Sequence, residues 1–237
     1  MGLRSAKSAV IAIALSLVAA CGQKQANSEL AEPLPAPSYG EEAANPEVFL
    51  DSMEVGSREL YAARNAVVDA VGVQPGERVA DIGAGTGLYS LLFAERTGPA
   101  GVVYAVDIEP RFLKLIAQRV ADLDVSNVVA VLGREDDITL PPASVDIVFV
   151  ADTYHYFDDR EAIMNSVRES LSANGRLVVL DYTLDPSDID DRRKDHVRFG
   201  KAGVVNEIES FGFELIDEPA VEGLDEIYMV IFKRAGA

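Results

Sequence analysis

Apolar residues recur along this chain with two different spacings, and the spacings alternate. The segment 57–72, SRELYAARNAVVDAVG, puts Leu60, Ala63, Val67, Val68 and Val71 on one helical face. Ser57 is the expected N-cap of this helix and Gly72 its stop. Pro75-Gly76 then turns the chain into ERVADI (77–82), a short apolar run that predicts a buried strand. A helix is expected from Leu88 to Thr97, a strand at VVYAVD (102–107), and a helix from Pro110 to about Leu123. VVAVL (128–132) and SVDIVFV (144–150) predict two further strands. A helix from Asp159 to about Ser172 is expected to end at Asn174-Gly175, before the strand RLVVLDY (176–182). After a helix near Lys201–Phe211, FELIDEP and EIYMVIFKR follow with only a short connection, which predicts an antiparallel hairpin.

Near-continuous apolar strands separated by helices indicate a mostly parallel sheet covered on both faces. The predicted class is therefore α/β: a doubly wound, Rossmann-like, seven-stranded sheet ending in an antiparallel hairpin. The length of 237 residues suits one such domain with an extension. A net charge of -18 repels phosphate backbones, so nucleic acid is not an expected partner. With one Cys and two His, no cluster has metal-ligand spacing, and no metal site is expected.

The N-terminus breaks the pattern. Arg4 and Lys7 precede the uncharged run 8–20, SAVIAIALSLVAA, which is too short to span a bilayer comfortably. The lone Cys21 follows at once. This resembles the bacterial lipoprotein signal, in which cleavage leaves a lipidated N-terminal Cys; Gly22 beside it points away from inner-membrane retention. The expected organisation is a signal peptide at 1–20, a polar, proline-bearing tether at 21–46 lipid-anchored through Cys21, and a folded domain at 47–237. The expected location is the bacterial cell envelope, facing the periplasm. A start at Met53 would instead give a cytoplasmic protein.

The candidate chemistry begins at VADIGAGTGL (79–88). Glycines in the turn after a first strand lie at the carboxyl edge of the sheet, where open α/β folds bind ligands. Dinucleotide sites use G-x-G-x-x-G; here Gly83, Gly85 and Gly87 are followed by Leu88 where the third Gly would stand. No P-loop is present.

Asp81-Ile82-Gly83-Ala84-Gly85-Thr86-Gly87 resembles motif I of class I S-adenosylmethionine-dependent methyltransferases, and Asp107 resembles the acidic residue that holds their ribose. The resemblance covers roughly Ser57 to Lys233 and comes closest to the small-molecule group that includes ubiquinone-biosynthesis-type enzymes. It implies S-adenosylmethionine as cofactor and a small or lipophilic methyl acceptor. It also implies that the glycines admit the amino-acid part of the cofactor, with Asp81 near the ammonium and Thr86 adding a hydroxyl. Ile108, beside Asp107, and Ala151, ending the fourth strand, join the cofactor set. A carboxylate suits ribose because two vicinal hydroxyl donors match two acceptor oxygens.

The adenine subsite departs from the family pattern. Arg134 stands where many members carry an Asp, and either Glu135 or Asp136 is left to take the exocyclic amine. In the loop ADTYHYF (151–157), His155 is the candidate general base and Tyr154 a companion, with Asp181 and Tyr182 on the same edge. His196, in the charged segment 183–200, is a weaker candidate to reach the acceptor. Two competing readings stand beside an anchored enzyme: a non-catalytic ligand-binding lipoprotein, and, distantly, a nicotinamide-dependent oxidoreductase.

Overall fold

The computed structural model describes residues 46–183 and 200–236. The signal segment, the tether, Cys21, His196 and most of the 183–200 segment lie outside the described residues. Among the described residues no helix is long and apolar enough to cross a membrane.

The chain runs α1 (Pro46–Met53), α2 (Glu59–Ala62), α3 (Arg64–Val71), β1 (Arg78–Ile82), α4 (Leu88–Thr97), β2 (Val102–Asp107), α5 (Pro110–Asp122) and β3 (Val128–Leu132). It continues through β4 (Val145–Ala151), α6 (Arg160–Ser170), β5 (Leu171–Tyr182), α7 (Lys201–Ser210), β6 (Phe213–Asp217) and β7 (Ile227–Arg234). The strands form one seven-stranded sheet in the order β3-β2-β1-β4-β5-β7-β6. β1 to β5 are parallel, and β7 lies antiparallel between β5 and β6. This is the doubly wound sheet with a terminal hairpin that the apolar pattern predicts.

Side chains alternate across the central strands, so each strand serves two cores. Val148, Val179 and Phe232 pack with Met164 and Val167 of α6 and Ile208 of α7. Phe149, Val178 and Met229 pack with Val67 of α3 and Phe93 of α4 on the other face. Each such fully buried side chain contributes about 1.5–3 kcal/mol. At the amino ends of the strands Arg78 grips Asp146 through two nitrogens, at 3.0 and 2.7 Å, and locks β1 to β4. The hydrogen bonds from Arg78 hold the Asp146 pKa down at about 2. The opposite, carboxyl edge is thereby left to the ligand-bearing loops.

Three local expectations need correction. Ser57 is exposed and caps nothing; α2 begins after Arg58, which makes no side-chain cap. Tertiary contacts set this start instead, because the Glu59 carboxylate accepts from the backbone N–H groups of Asp225 and Glu226 at 3.1 and 3.0 Å. The expected single helix is broken at Ala63 (φ −89°, ψ 7°), although Gly72 stops α3 as expected, in the left-handed region at φ 68°. Finally, α6 ends at Ser170, and Asn174-Gly175 lies in a strand irregularity. Val145 pairs with Leu171 and Ile147 with Arg176, so the residues between loop out of β5. A Cβ at Gly175 would meet Leu171 Cδ2 at 2.9 Å, so the glycine serves this bulge and not a helix end.

Candidate active site

The loop 83–87 joins β1 to α4 with Gly83, Gly85 and Gly87 at φ 70°, 52° and 78°. The N–H groups of Gly83 and Ala84 both donate to the Val106 carbonyl, at 2.9 and 3.1 Å, which folds the loop back on β2. The three glycines have different reasons to be bare. A Cβ at Gly83 would strike the Thr153 side chain, and one at Gly87 would meet Ile116 Cγ1 at 2.9 Å. Only Gly85 opens on space: its nearest neighbour would be the Gly83 carbonyl at 3.9 Å. A side chain there would fill a cradle that the fold leaves for something else.

Two buried carboxylates stand behind this loop. Asp107, at the end of β2, accepts from Gly85 N–H at 2.8 Å through one oxygen and from Glu109 N–H at 2.9 Å through the other. Burial pushes its pKa up to about 6 despite these hydrogen bonds. Asp81 accepts from Ser90 Oγ at 2.6 Å, and burial, aided by the Asp107 charge, pushes its pKa up to about 7. Thr86 is buried, and its carbonyl accepts from Arg119 Nη1 at 2.7 Å. Ile108 is half-buried beside Asp107. Glu135 and Asp136 are exposed on the loop after β3, and Arg134 pairs with Asp137 at 2.7 Å and with Asp136 at 3.4 Å.

These two carboxylates make a pH prediction with a definite sign. Their pKa values are raised in the folded chain above about 3.9, the ordinary value. Between about pH 4 and 7 the folded state therefore holds protons that the unfolded state has lost, and stability falls as pH rises through that window. The ligand-free protein should lose Tm from pH 5 to 7.5, and Asp81→Asn should lessen that loss. Thermal denaturation across this range checks it; an equal slope in the variant would place the linked protons elsewhere. Asp146 acts in the opposite sense, and only in acid, below about pH 4.

The loop after β4 holds the second half of the site. Ala151 ends the strand, half-buried, and its carbonyl accepts from Thr153 Oγ1 at 2.9 Å. His155 is buried, with Nδ1 at 2.9 and 3.1 Å from the two carboxylate oxygens of Asp181. A carboxylate only accepts, so Nδ1 carries a proton, and in the neutral ring the lone pair is on Nε2. Nε2 lies 4.0 Å from Asp152. The rings of Tyr156 and Tyr182 flank the imidazole at 4.1 and 5.9 Å between centroids. Tyr154 turns the other way. It is buried in the α6–α7 core, its hydroxyl donates to Glu207 at 2.8 Å, and burial with the Glu207 hydrogen bond pushes its pKa up. The structure thus separates the two candidates: His155 stands among the site carboxylates and Tyr154 packs the core.

Several residues that the fold brings to this edge were not foreseen. Glu109 is buried and caps α5, accepting from Arg111 N–H at 3.0 Å. Asp152 is in contact with Arg58, 94 residues away in the sequence. Glu54 pairs with Arg119 at 2.5 Å. An acidic residue directly after a buried strand is the one signal that could have pointed to Asp152; nothing in the local pattern distinguishes Arg58 or Glu54.

The model of a methyltransferase domain matches residues 74–226, from the turn before β1 to the start of β7. The chain belongs to the methyltransferase-domain family. It is similar to the ubiquinone/menaquinone biosynthesis C-methyltransferase of Ectopseudomonas mendocina, 31% identical over 142 residues, which is 60% of this chain and 55% of that protein. The namesake from Cupriavidus taiwanensis is 29% identical over 141 residues, 60% of this chain and 57% of the relative. The chain thus spans about half the length of the curated relatives it matches. Among solved structures, a SAM-dependent methyltransferase from Aquifex aeolicus superposes with a TM-score of 0.68 at 23% identity, over 79% of this chain and 97% of that one. The cyclase SpnF superposes with a TM-score of 0.63 at 14% identity, over 75% and 82%.

S-adenosylmethionine is the cofactor of this methyltransferase family, and the residues fit it. The open cradle at Gly85 admits a ligand against bare backbone. Asp107 accepts backbone N–H groups from Gly85, Glu109 and Ile108, which leaves part of its acceptor capacity for a ribose hydroxyl. The acidic groups Asp81, Asp107, Asp152 and Asp181 give this edge the sign that a sulfonium requires.

Proposed function

We propose that the chain is an S-adenosylmethionine-dependent methyltransferase acting on a small, lipophilic phenol or quinol, and that it is anchored by lipid at Cys21 to a bacterial envelope membrane. The observation that carries the catalytic reading is the buried Asp181–His155 pair, set on the same sheet edge as the Gly85 cradle. The names of the relatives, ubiquinone/menaquinone biosynthesis C-methyltransferases, support a quinol-type acceptor. The basic, apolar and small-residue series ending at Cys21 supports the anchor.

When bound, the cofactor supplies a methyl group already activated by its sulfonium. The protein's task is to hold the acceptor in line and to manage one proton. His155 Nε2 takes the hydroxyl proton of the acceptor, which raises electron density on the oxygen and on the ring carbons conjugated to it. Asp181 keeps the imidazole in the correct tautomer and stabilises the imidazolium that forms. Tyr228, opposite Asp181 in the sheet, has a buried hydroxyl with no hydrogen-bond partner among the described residues, and it offers a donor to an acceptor oxygen.

Incubating the purified protein with methyl-labelled cofactor and a panel of quinols, phenols and lipid extracts tests the activity. Label should enter a phenolic or quinol product; transfer to none of the panel, with the cofactor bound, would favour a binding protein on this fold. Membrane fractionation tests the anchor. The unaltered chain should sediment with membranes and Cys21→Ala should become soluble, whereas a soluble location for both removes the lipid.

A further inference from the structure

The proposed base sits on a single 3-10 turn, Tyr154–Tyr156, between β4 and α6. Asp181 holds its ring, through Nδ1, from β5. The aim of the ring also depends on the main chain that carries it, and α6 and α7 hold that main chain. Arg160, the first residue of α6, donates from Nη2 to the His155 carbonyl at 3.2 Å. Tyr154, one residue before the base, donates its hydroxyl to Oε2 of Glu207 on α7 at 2.8 Å, across 53 residues of sequence. The same Glu207 oxygen lies 3.7 Å from Arg160 Nε. The guanidinium stands over the Tyr154 ring, 5.6 Å from its centroid. One carboxylate of α7 thus faces both side chains that fix the turn.

This cluster is a costly way to join two helices. Arg160 and Glu207 have side-chain exposures of 9% and 23%, and Tyr154 lies in the apolar core with Ile163, Met164, Val204 and Ile208. A buried ion pair is often no more stabilising than apolar side chains of the same volume. Nor does Arg160 grip its partner as a plain ion pair does. Arg78 takes Asp146 through two nitrogens at hydrogen-bond distance. Arg160 gives its Nη2 hydrogen bond to the main chain of the base, and its buried Nε has no hydrogen-bond partner among the described residues.

We propose that Glu207 is a positioning residue for His155: it fixes the 154–156 turn through the Tyr154 hydroxyl and orients the Arg160 guanidinium on the His155 carbonyl. The proposal rests on the methyltransferase reading and deepens it. The base is then held at two points, its Nδ1 by Asp181 and its main chain by the α6–α7 cluster, and together these set the direction of Nε2. Rate depends steeply on such aim, since a displacement of about 1 Å costs about 10²-fold. Tyr154 serves the reaction without touching the acceptor.

Single-turnover transfer of labelled methyl, with cofactor saturating, tests the link in four forms of the full chain: unaltered, Glu207→Gln, His155→Ala and the double variant. Glu207→Gln keeps an oxygen for Tyr154 and loses the charge that faces Arg160. It should lower the rate about tenfold, while the steady-state KM for the acceptor and the Kd for S-adenosylhomocysteine stay within about twofold. Added to His155→Ala it should cost less than about twofold, because no base is left to misplace. An equal loss in both backgrounds, a loss carried by KM or Kd, or no loss at all overturns the proposal. Tyr154→Phe removes only the hydroxyl. It should show the same dependence on His155 at a smaller size, and it carries the test where Glu207→Gln does not fold. Nuclear magnetic resonance of protein labelled with 15N-histidine gives a readout apart from turnover. The chain has two His, so His196→Gln assigns the His155 signals. The proton on Nδ1 should exchange with water about tenfold faster in Glu207→Gln, through looser packing of the turn; unchanged exchange overturns the clamp. If the unaltered protein methylates no acceptor but this exchange still responds to Glu207→Gln, the clamp stands and the reading of His155 as a base falls.

Discussion

Replacing His155 by Ala is expected to lower methyl transfer by two to four orders of magnitude while the Kd for S-adenosylhomocysteine stays within twofold. The size follows from the usual contribution of a positioned general base, about 10²–10⁴-fold. The selectivity follows from geometry: Nδ1 is spent on Asp181, so the neutral ring has one free lone pair, at Nε2, for the acceptor's proton. Asp181→Asn should have a smaller effect. The amide oxygen still accepts from Nδ1–H, but the charge that stabilises the imidazolium is gone. Single-turnover transfer of labelled methyl to the best phenolic acceptor, with cofactor saturating, reads the chemical step apart from binding. A full rate in His155→Ala would assign the proton to another group or to water. A loss of cofactor affinity in step with the rate would mean that the imidazole merely supports the site's packing against Tyr156.

The parts of this molecule that were legible in the sequence are those decided over a few neighbouring residues. β1 and β2 are near-continuous apolar runs, and α4 begins and ends where the pattern places it, at Leu88 and Thr97. The glycine loop and Asp107 were legible for the same reason: the loop is a local turn, and the carboxylate ends the next strand. What failed was decided at long range. The start of α2 is set by the loop before β7, through Glu59, and not by the nearby Ser57. Asn174-Gly175 carries an ordinary helix-stop pattern but serves a bulge, because β5 already pairs with β4 at Leu171. In the site, Asp181 and His155 were separate candidates on one edge; only the fold shows them as one hydrogen-bonded unit. Arg58 had no local mark, since its partner lies beyond four intervening strands of sequence.

Asp107→Ala should weaken binding of S-adenosylhomocysteine and of 5′-methylthioadenosine alike, by one to two orders of magnitude. Both ligands carry the ribose, which loses a hydrogen bond to a charged acceptor worth about 1.5–3 kcal/mol. Part of the loss comes through the protein, because the same substitution strips Gly85 N–H and Glu109 N–H of their acceptor and loosens the cradle. The pH dependence supplies a second check. With the free carboxylate at a pKa of about 6, protonation below that pH competes with the ribose donors. Hydroxyls that donate to the ionised form lower its pKa, so binding releases protons and affinity rises with pH until Asp107 is ionised. The unaltered protein should therefore bind more weakly at pH 5 than at pH 7.5, and Asp107→Ala should lose that component. Unchanged affinity in Asp107→Ala, measured by calorimetry at pH 7.5, would put the sugar on another strand and take the glycine loop's ligand with it.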